Sequence, residues 1–336
     1  MNKPALLLIN LGTPNSPSYF DVFKYLREFL MDARVIDLPF LIRFILVTLI
    51  ICPFRSFSSS KLYRQLWDIS GDFSPLLKNT SELTDQLNLQ QDKYDVYYAM
   101  RYQNPSIHHA LDKIKKTNPS ELVILPLFPH YASATTGSIF ENVSKKLSKN
   151  WVIPSFKFIS QYYDHPSFIS AWVDAAKNFN ILDYDKVIFS YHGLPNSQID
   201  KVYLDKKCDG KNCENEINLE NHYCYKATVY ETSRLIADKL RLSKDQYEVT
   251  FQSRLSNNWI EPFTDTVLKS YPNKNIKKVL VFSPAFTADC LETIIEIGYE
   301  YKELFIEAGG HTLDYVPSLN FSDAWVQAII DITNSK

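Results

Sequence analysis

A chain of 336 residues with 45% hydrophobic and 22% charged side chains has a globular composition and enough length for two domains, each with its own core. The net charge of −2 gives a nucleic-acid partner no electrostatic support, and 8 glycines with no G-x-G-x-x-G or G-x-x-x-x-G-K spacing leave no phosphate cradle for a dinucleotide or ATP. Five cysteines with no export signal ahead of them point to reduced thiols or metal ligands, and an aromatic content of 14% suits a large apolar ligand.

Taken in chain order, strand-like runs fall at Ala5–Leu11, Val96–Tyr102, Leu122–Phe128 and Phe156–Tyr163. A second set falls at Val187–His192, Val249–Arg254, Val279–Phe286 and Thr312–Val316. Asp21–Leu30 and Ser233–Leu240, lying between strands, carry helical apolar spacing. Strands alternating with helices predict an α/β protein with parallel sheets. The two sets also echo each other. Met100-Arg101-Tyr102-Gln103-Asn104 parallels Gln252-Ser253-Arg254-Leu255-Ser256-Asn257, and Leu127-Phe128-Pro129-His130-Tyr131-Ala132 parallels Phe282-Ser283-Pro284-Ala285-Phe286-Thr287. The expectation is two similar α/β lobes, residues 1–165 and 166–310, facing a cleft, with a final strand and helix over 311–336. The first lobe has the longer insertion between its first two strands. That insertion holds the most apolar stretch, Phe40–Phe54, which Arg43 interrupts and Pro53 closes. It is too short for a comfortable bilayer span.

Two places carry chemistry. The run Val187-Ile188-Phe189-Ser190-Tyr191-His192-Gly193-Leu194-Pro195 reads as a buried strand that delivers its last residues to the carboxyl edge of a sheet, where open α/β folds bind ligands. An imidazole there is either a proton acceptor or metal ligand, or a hydrogen-bonded strand-end histidine. After the strand at Val279, Thr287 is a plausible N-cap, and Asp289, Glu292, Glu296 and Glu300 recur at helical spacing on one face. Such a row is either a solvated face or a carboxylate track handing a divalent cation inward, with Asp289 and Glu296 as relay candidates. A histidine and a carboxylate without a third strong ligand suit a transient metal site.

Seven motifs in order then give a resemblance along nearly the whole length. They are Asn10-Leu11-Gly12-Thr13-Pro14, Tyr25-Leu26-Arg27-Glu28-Phe29-Leu30, Met100-Arg101-Tyr102, Leu127-Phe128-Pro129-His130-Tyr131 with Ala134-Thr135-Thr136-Gly137, Ser190-Tyr191-His192-Gly193-Leu194-Pro195, Phe251-Gln252-Ser253-Arg254 and Asp289-Cys290-Leu291-Glu292-Thr293. With these the chain resembles the ferrochelatase family, which inserts ferrous iron into a porphyrin at the end of heme synthesis. The resemblance implies two Rossmann-like lobes with a porphyrin cleft between them. It implies that His192 and Glu292 oppose each other across the macrocycle as the catalytic and metal-side groups. Thr13, Arg101, Tyr131 and Ser253 become candidate porphyrin contacts. Protoporphyrin IX and ferrous iron are the implied partners, with iron as substrate, no organic cofactor and no nucleic acid. The implied setting is the cytoplasm, with peripheral contact at the inner membrane face through an apolar cleft lip, Leu38–Phe57. A tetrapyrrole or metal carrier without chemistry, and a chelatase for another metal, stand as alternatives.

One segment departs from the family. Cys208, Cys213 and Cys224 lie in a polar, loop-like stretch. Some family members carry a four-cysteine 2Fe–2S segment here, and Val229 stands where the fourth cysteine falls. Three thiolates favour a site that has lost the cluster over an intact one. If a fourth ligand completes it, His222 is the candidate.

Overall fold

The computed structural model describes residues 2–335, which divide into two compact units at Ser160/Gln161. The N-terminal unit holds one four-stranded parallel sheet of order β2-β1-β3-β4, from β1 (Ala5–Gly12), β2 (Asp95–Tyr102), β3 (Leu122–Pro126) and β4 (Phe156–Phe158). The C-terminal unit repeats the order as β6-β5-β7-β8, from β5 (Lys186–His192), β6 (Tyr247–Gln252), β7 (Lys278–Phe282) and β8 (Thr312–Tyr315). All eight expected strands form. β1 and β3 are buried along almost their whole length, which is why both read as unbroken apolar runs. β3, β4 and β7 stop short of the expected ends because proline-containing turns follow each of β3 and β7, and β4 lies at a sheet edge.

The duplication goes beyond topology. In both units the residue immediately past the second strand is left-handed without being glycine: Gln103 at φ 65° and Ser253 at φ 61°. A glutamate accepts from the backbone N–H of each, Glu28 from Gln103 at 3.0 Å and Glu296 from Ser253 at 2.9 Å. Each second strand is then closed by a backbone bond to a later proline carbonyl, Met100 to Pro105 and Phe251 to Pro262. The segment 311–336, expected apart from the second lobe, contributes β8 to the C-terminal sheet beside β7, and its helix Asp323–Ser335 packs on the helix Pro166–Ala175.

The insertion between β1 and β2 contains the helices Tyr19–Leu30, Phe40–Ser70 and Pro75–Gln90. Phe40–Ser70 is one helix of 31 residues with a π-helical stretch at Ile45–Ile51, so the helix does not end at Pro53. Pro53 is tolerated inside this helix because it directly follows the π-helical stretch, where the Cys52 N–H bonds the Val47 carbonyl and the regular i→i−4 ladder is already interrupted. By length and composition this helix could cross a membrane. Arg43 does not interrupt its outer face. The guanidinium is buried and donates to the carbonyls of Ile36 and Leu38 at 3.2 and 2.7 Å, while Leu41, Ile45, Leu49 and Phe54 point outward. With Val47 and Cys52 buried on the other side, the N-terminal part of the helix is apolar on both its inner and its outer face.

Candidate active site

β5 brings the first site residue into place. Its side chains are buried from Val187 to Tyr191, and His192 is the first to regain partial exposure. His192 pairs in register with Gln252 at the end of β6. Its carbonyl accepts from the Tyr225 hydroxyl at 2.9 Å, and its ring lies 6.3 Å from both the Trp259 and Phe286 rings. The next residue must be small. A Cβ at Gly193 would stand 3.1 Å from the Gln252 carbonyl oxygen and 3.2 Å from the Trp259 ring, and the Gly193 N–H donates to that carbonyl at 2.8 Å.

Gln252 ties the strand edge to the acidic helix. Its side-chain oxygen accepts from Ser190 Oγ at 2.7 Å, and its amide donates to the Glu292 carbonyl at 3.4 Å and to Glu296 at 3.0 Å. The acidic helix itself differs from expectation. It is a π-helix, Glu292–Tyr301, and it starts at Leu291 instead of after Thr287. Its wider i→i+5 turn keeps Glu292, Glu296 and Glu300 close to one line, and such turns recur at functional sites. Asp289 precedes the helix, whose N-cap position is Leu291, and its carboxylate ties the turn before it to Thr293 and to Ser318 and Asn320. It accepts from Thr293 Oγ1 at 3.0 Å, Ser318 N at 3.2 Å and Asn320 Nδ2 at 2.7 Å. Glu296 accepts from Ser253 N and Oγ, Gln252 Nε2 and the Tyr301 hydroxyl. Both relay candidates thus have their carboxylates fully engaged within the unit. The Glu292 carboxylate, at the head of the helix, belongs to neither network and meets the Cys290 thiol instead, and Glu300 is exposed. Burial pushes the neighbouring Cys290 thiol well up, and Glu292 beside it adds to that, so the cysteine stays protonated and inert.

The N-terminal candidates divide. Thr13 accepts from Ser74 Oγ at 3.1 Å and lines a cavity of about 610 Å³ with Trp67, Phe73, Tyr98 and His109. Arg101 is drawn into a buried network: its Nη2 is 2.6 Å from Asp32 Oδ2 and its Nε donates to Ser138 Oγ at 2.6 Å. Burial opposes the Asp32 charge, but hydrogen bonds from Ser138 and the Arg34 N–H and the Arg101 charge together hold its carboxyl below the usual range. Tyr131 is half-buried, and its hydroxyl approaches Gly137, where an added Cβ would stand 3.1 Å away. Asp32, Gln252 and Asn320 were not legible as organisers of these sites. Gln252 at least stood inside a motif that the resemblance used.

The cysteine segment gathers its three sulfurs within 4.8 Å of one another. His222 is not one of that group; its Nδ1 sits 2.9 Å from the Leu219 carbonyl and its ring lies 4.5 Å from the Tyr223 ring at a tilt of 50°. Val229 is buried and offers no donor atom. A four-thiolate 2Fe–2S cluster therefore does not fit the residues present.

Two parallel-sheet units that deliver a histidine and a row of carboxylates to one sheet edge define a two-lobed α/β chelatase. SirB from Bacillus subtilis with Fe3+ has this fold at a TM-score of 0.57 and 9% identity, covering 99% of this chain and 95% of that one. The sirohydrochlorin chelatase SirB from Bacillus subtilis subspecies spizizenii in complex with cobalt gives 0.56 at 10% identity, covering 99% and 94%. A Ferrochelatase family model matches residues 3–336. A ferrochelatase of Coxiella burnetii (strain CbuG_Q212) is 43% identical over 332 residues, 98% of this chain and 92% of that protein. One of Legionella pneumophila subsp. pneumophila (strain Philadelphia 1) is 42% identical over 336 residues, 99% of each. The chain belongs to the ferrochelatase family of metal-chelating enzymes in heme biosynthesis.

Proposed function

We propose that the protein inserts ferrous iron into protoporphyrin IX, with His192 and Glu292 as the groups that receive the metal and the pyrrole protons. The observation that carries this reading is the fixed edge of the C-terminal sheet, where Gln252 pairs with His192 and bonds the Glu292 backbone. Insertion removes two N–H protons and adds a cation, so it needs a base and a carboxylate close to one strand edge. The His192 imidazole supplies the base, and the Glu292 carboxylate, whose side-chain partner is the Cys290 thiol, is placed to exchange water on a hard or borderline cation for its own oxygen. Asp289 and Glu296 serve as relay groups only by giving up hydrogen bonds, which makes Glu292 the first acid in the path. Thr13, Arg101, Tyr131 and Ser253 are the proposed porphyrin contacts. Arg101 contributes through whatever donor capacity Asp32 leaves. No organic cofactor is required for the step, and the reading assigns the cysteine segment no cluster.

The same proposal places the enzyme in the cytoplasm, touching the inner membrane face peripherally through the outer side of the Phe40–Ser70 helix. An exposed aliphatic face of that size matches a lipid surface, from which an apolar porphyrin is delivered. The test is an anaerobic assay of the purified chain with ferrous iron or cobalt against several porphyrins. Metalloporphyrin formation from protoporphyrin supports the reading, and tight porphyrin binding without metal insertion overturns it in favour of a carrier.

A further inference from the structure

Between the short helix Asn196–Asp200 and the helix Tyr225–Lys239 runs a polar segment whose leucines, Leu204 and Leu219, are fully exposed. Such a segment has few apolar side chains to hold it shut, yet it closes around three sulfurs. Cys213 and Cys224 are buried, and Cys208 is partly so. The Cys208 and Cys213 sulfurs stand 3.8 Å apart, and those of Cys213 and Cys224 3.9 Å. A disulfide would bring a pair to about 2.05 Å. Thiolates held at about 2.3 Å around a tetrahedral ion stand roughly 3.8 Å apart. The sulfurs therefore already have the spacing of a mononuclear site.

The backbone fixes them there. Asp200 accepts from the Cys208 N–H at 2.9 Å, and the Cys224 N–H donates to the Asn221 carbonyl at 2.7 Å. Asn221 is itself fully buried and braces the loop through bonds to Glu216 and Asn218. The Tyr203 hydroxyl lies 2.9 Å from the Cys213 sulfur, so an oxygen donor, its own or a water's, is available for a fourth position. We propose that Cys208, Cys213 and Cys224 bind one zinc-class divalent ion that staples this segment shut, in place of a 2Fe–2S cluster. Binding would release the thiol protons and add the ion's binding energy to the folded state.

The full chain, purified anaerobically from zinc- and iron-supplemented medium, tests this by metal and acid-labile sulfide content. The expected result is about one zinc per chain and no sulfide, with cobalt substitution giving intense thiolate-to-metal absorption and tetrahedral visible bands. Cys213→Ser should lose both the zinc and the cobalt bands. Cys208→Ser, at the least buried position, should do the same while the far-ultraviolet circular dichroism stays native. Stoichiometric iron and sulfide, a Cys208–Cys213 or Cys213–Cys224 disulfide, or a metal-free protein with three titratable thiols in that segment would each overturn the proposal. So would zinc retained in both variants.

Discussion

At the scale of single residues, the acids of the π-helix separate by what they touch. Glu296 accepts four hydrogen bonds and fixes the left-handed Ser253, whereas Glu292 stands outside that network and Glu300 is exposed. Glu296→Gln turns one acceptor into a donor facing donors. Hydrogen bonds to charged groups contribute about 1.5–3 kcal/mol each, so the loss should be on the order of 2–4 kcal/mol and lower Tm by about 5 °C or more. Glu292→Gln should leave Tm unchanged and reduce kcat/KM for iron at least about tenfold, and Glu300→Gln should do neither. Calorimetry with anaerobic kinetics on the three variants decides it, and equal kinetic losses at Glu292 and Glu300 would return the row to a solvated face. His130 supplies a second residue-scale prediction. Burial lowers its pKa from 6.5 to about 3, so the imidazole stays neutral in the fold and takes a proton on unfolding. Its contribution to stability is complete above pH 6.5 and is lost as pH falls from 6.5 toward 3. Urea unfolding across that window should show the decline, and His130→Asn should flatten it.

At the scale of elements, β-strands were the most legible part of the sequence because burial on both faces writes itself as uninterrupted apolar runs. All eight were visible, as was the long insertion after β1. Two helices differ from what their sequences suggest. At Phe40 the sequence shows Arg43 and Pro53 as breaks, but one is buried against carbonyls and the other follows a π-helical stretch inside a continuous helix. The acidic helix looked α-helical from Thr287 because spacing of three and four does not distinguish α from π, and the turn before it is held by Asn320, far along the chain, which accepts from the Asp289 N–H. The exposed side of the Phe40–Ser70 helix gives the element-scale prediction. Leu41→Glu with Leu49→Glu should leave Tm within about 1 °C, since both side chains are already exposed. The pair should weaken sedimentation with anionic vesicles and raise KM for porphyrin more than KM for iron. An unchanged porphyrin KM together with unchanged vesicle binding would assign the face some other role.

For the molecule as a whole, the duplicated sheets explain why the proposed site falls in the C-terminal unit. Two units share strand order, a pinned left-handed residue after the second strand, and a π-turn following the third strand, Ser133–Gly137 in one and Glu292–Tyr301 in the other. Only the C-terminal copy pairs that turn with a histidine at the end of its first strand: β5 ends at His192 where β1 ends at Gly12. The fold class and the place of His192 at a strand end were legible because they depend on short runs. The networks around Asp32, Gln252 and Asn320 were not, because each joins residues far apart in the chain. The most direct measurement is anaerobic iron insertion into protoporphyrin by His192→Ala, with circular dichroism and Tm recorded on the same sample. The arrangement at the β5 edge predicts native folding with a loss in kcat of about 100-fold or more, and near-normal turnover by a folded His192→Ala protein would contradict it.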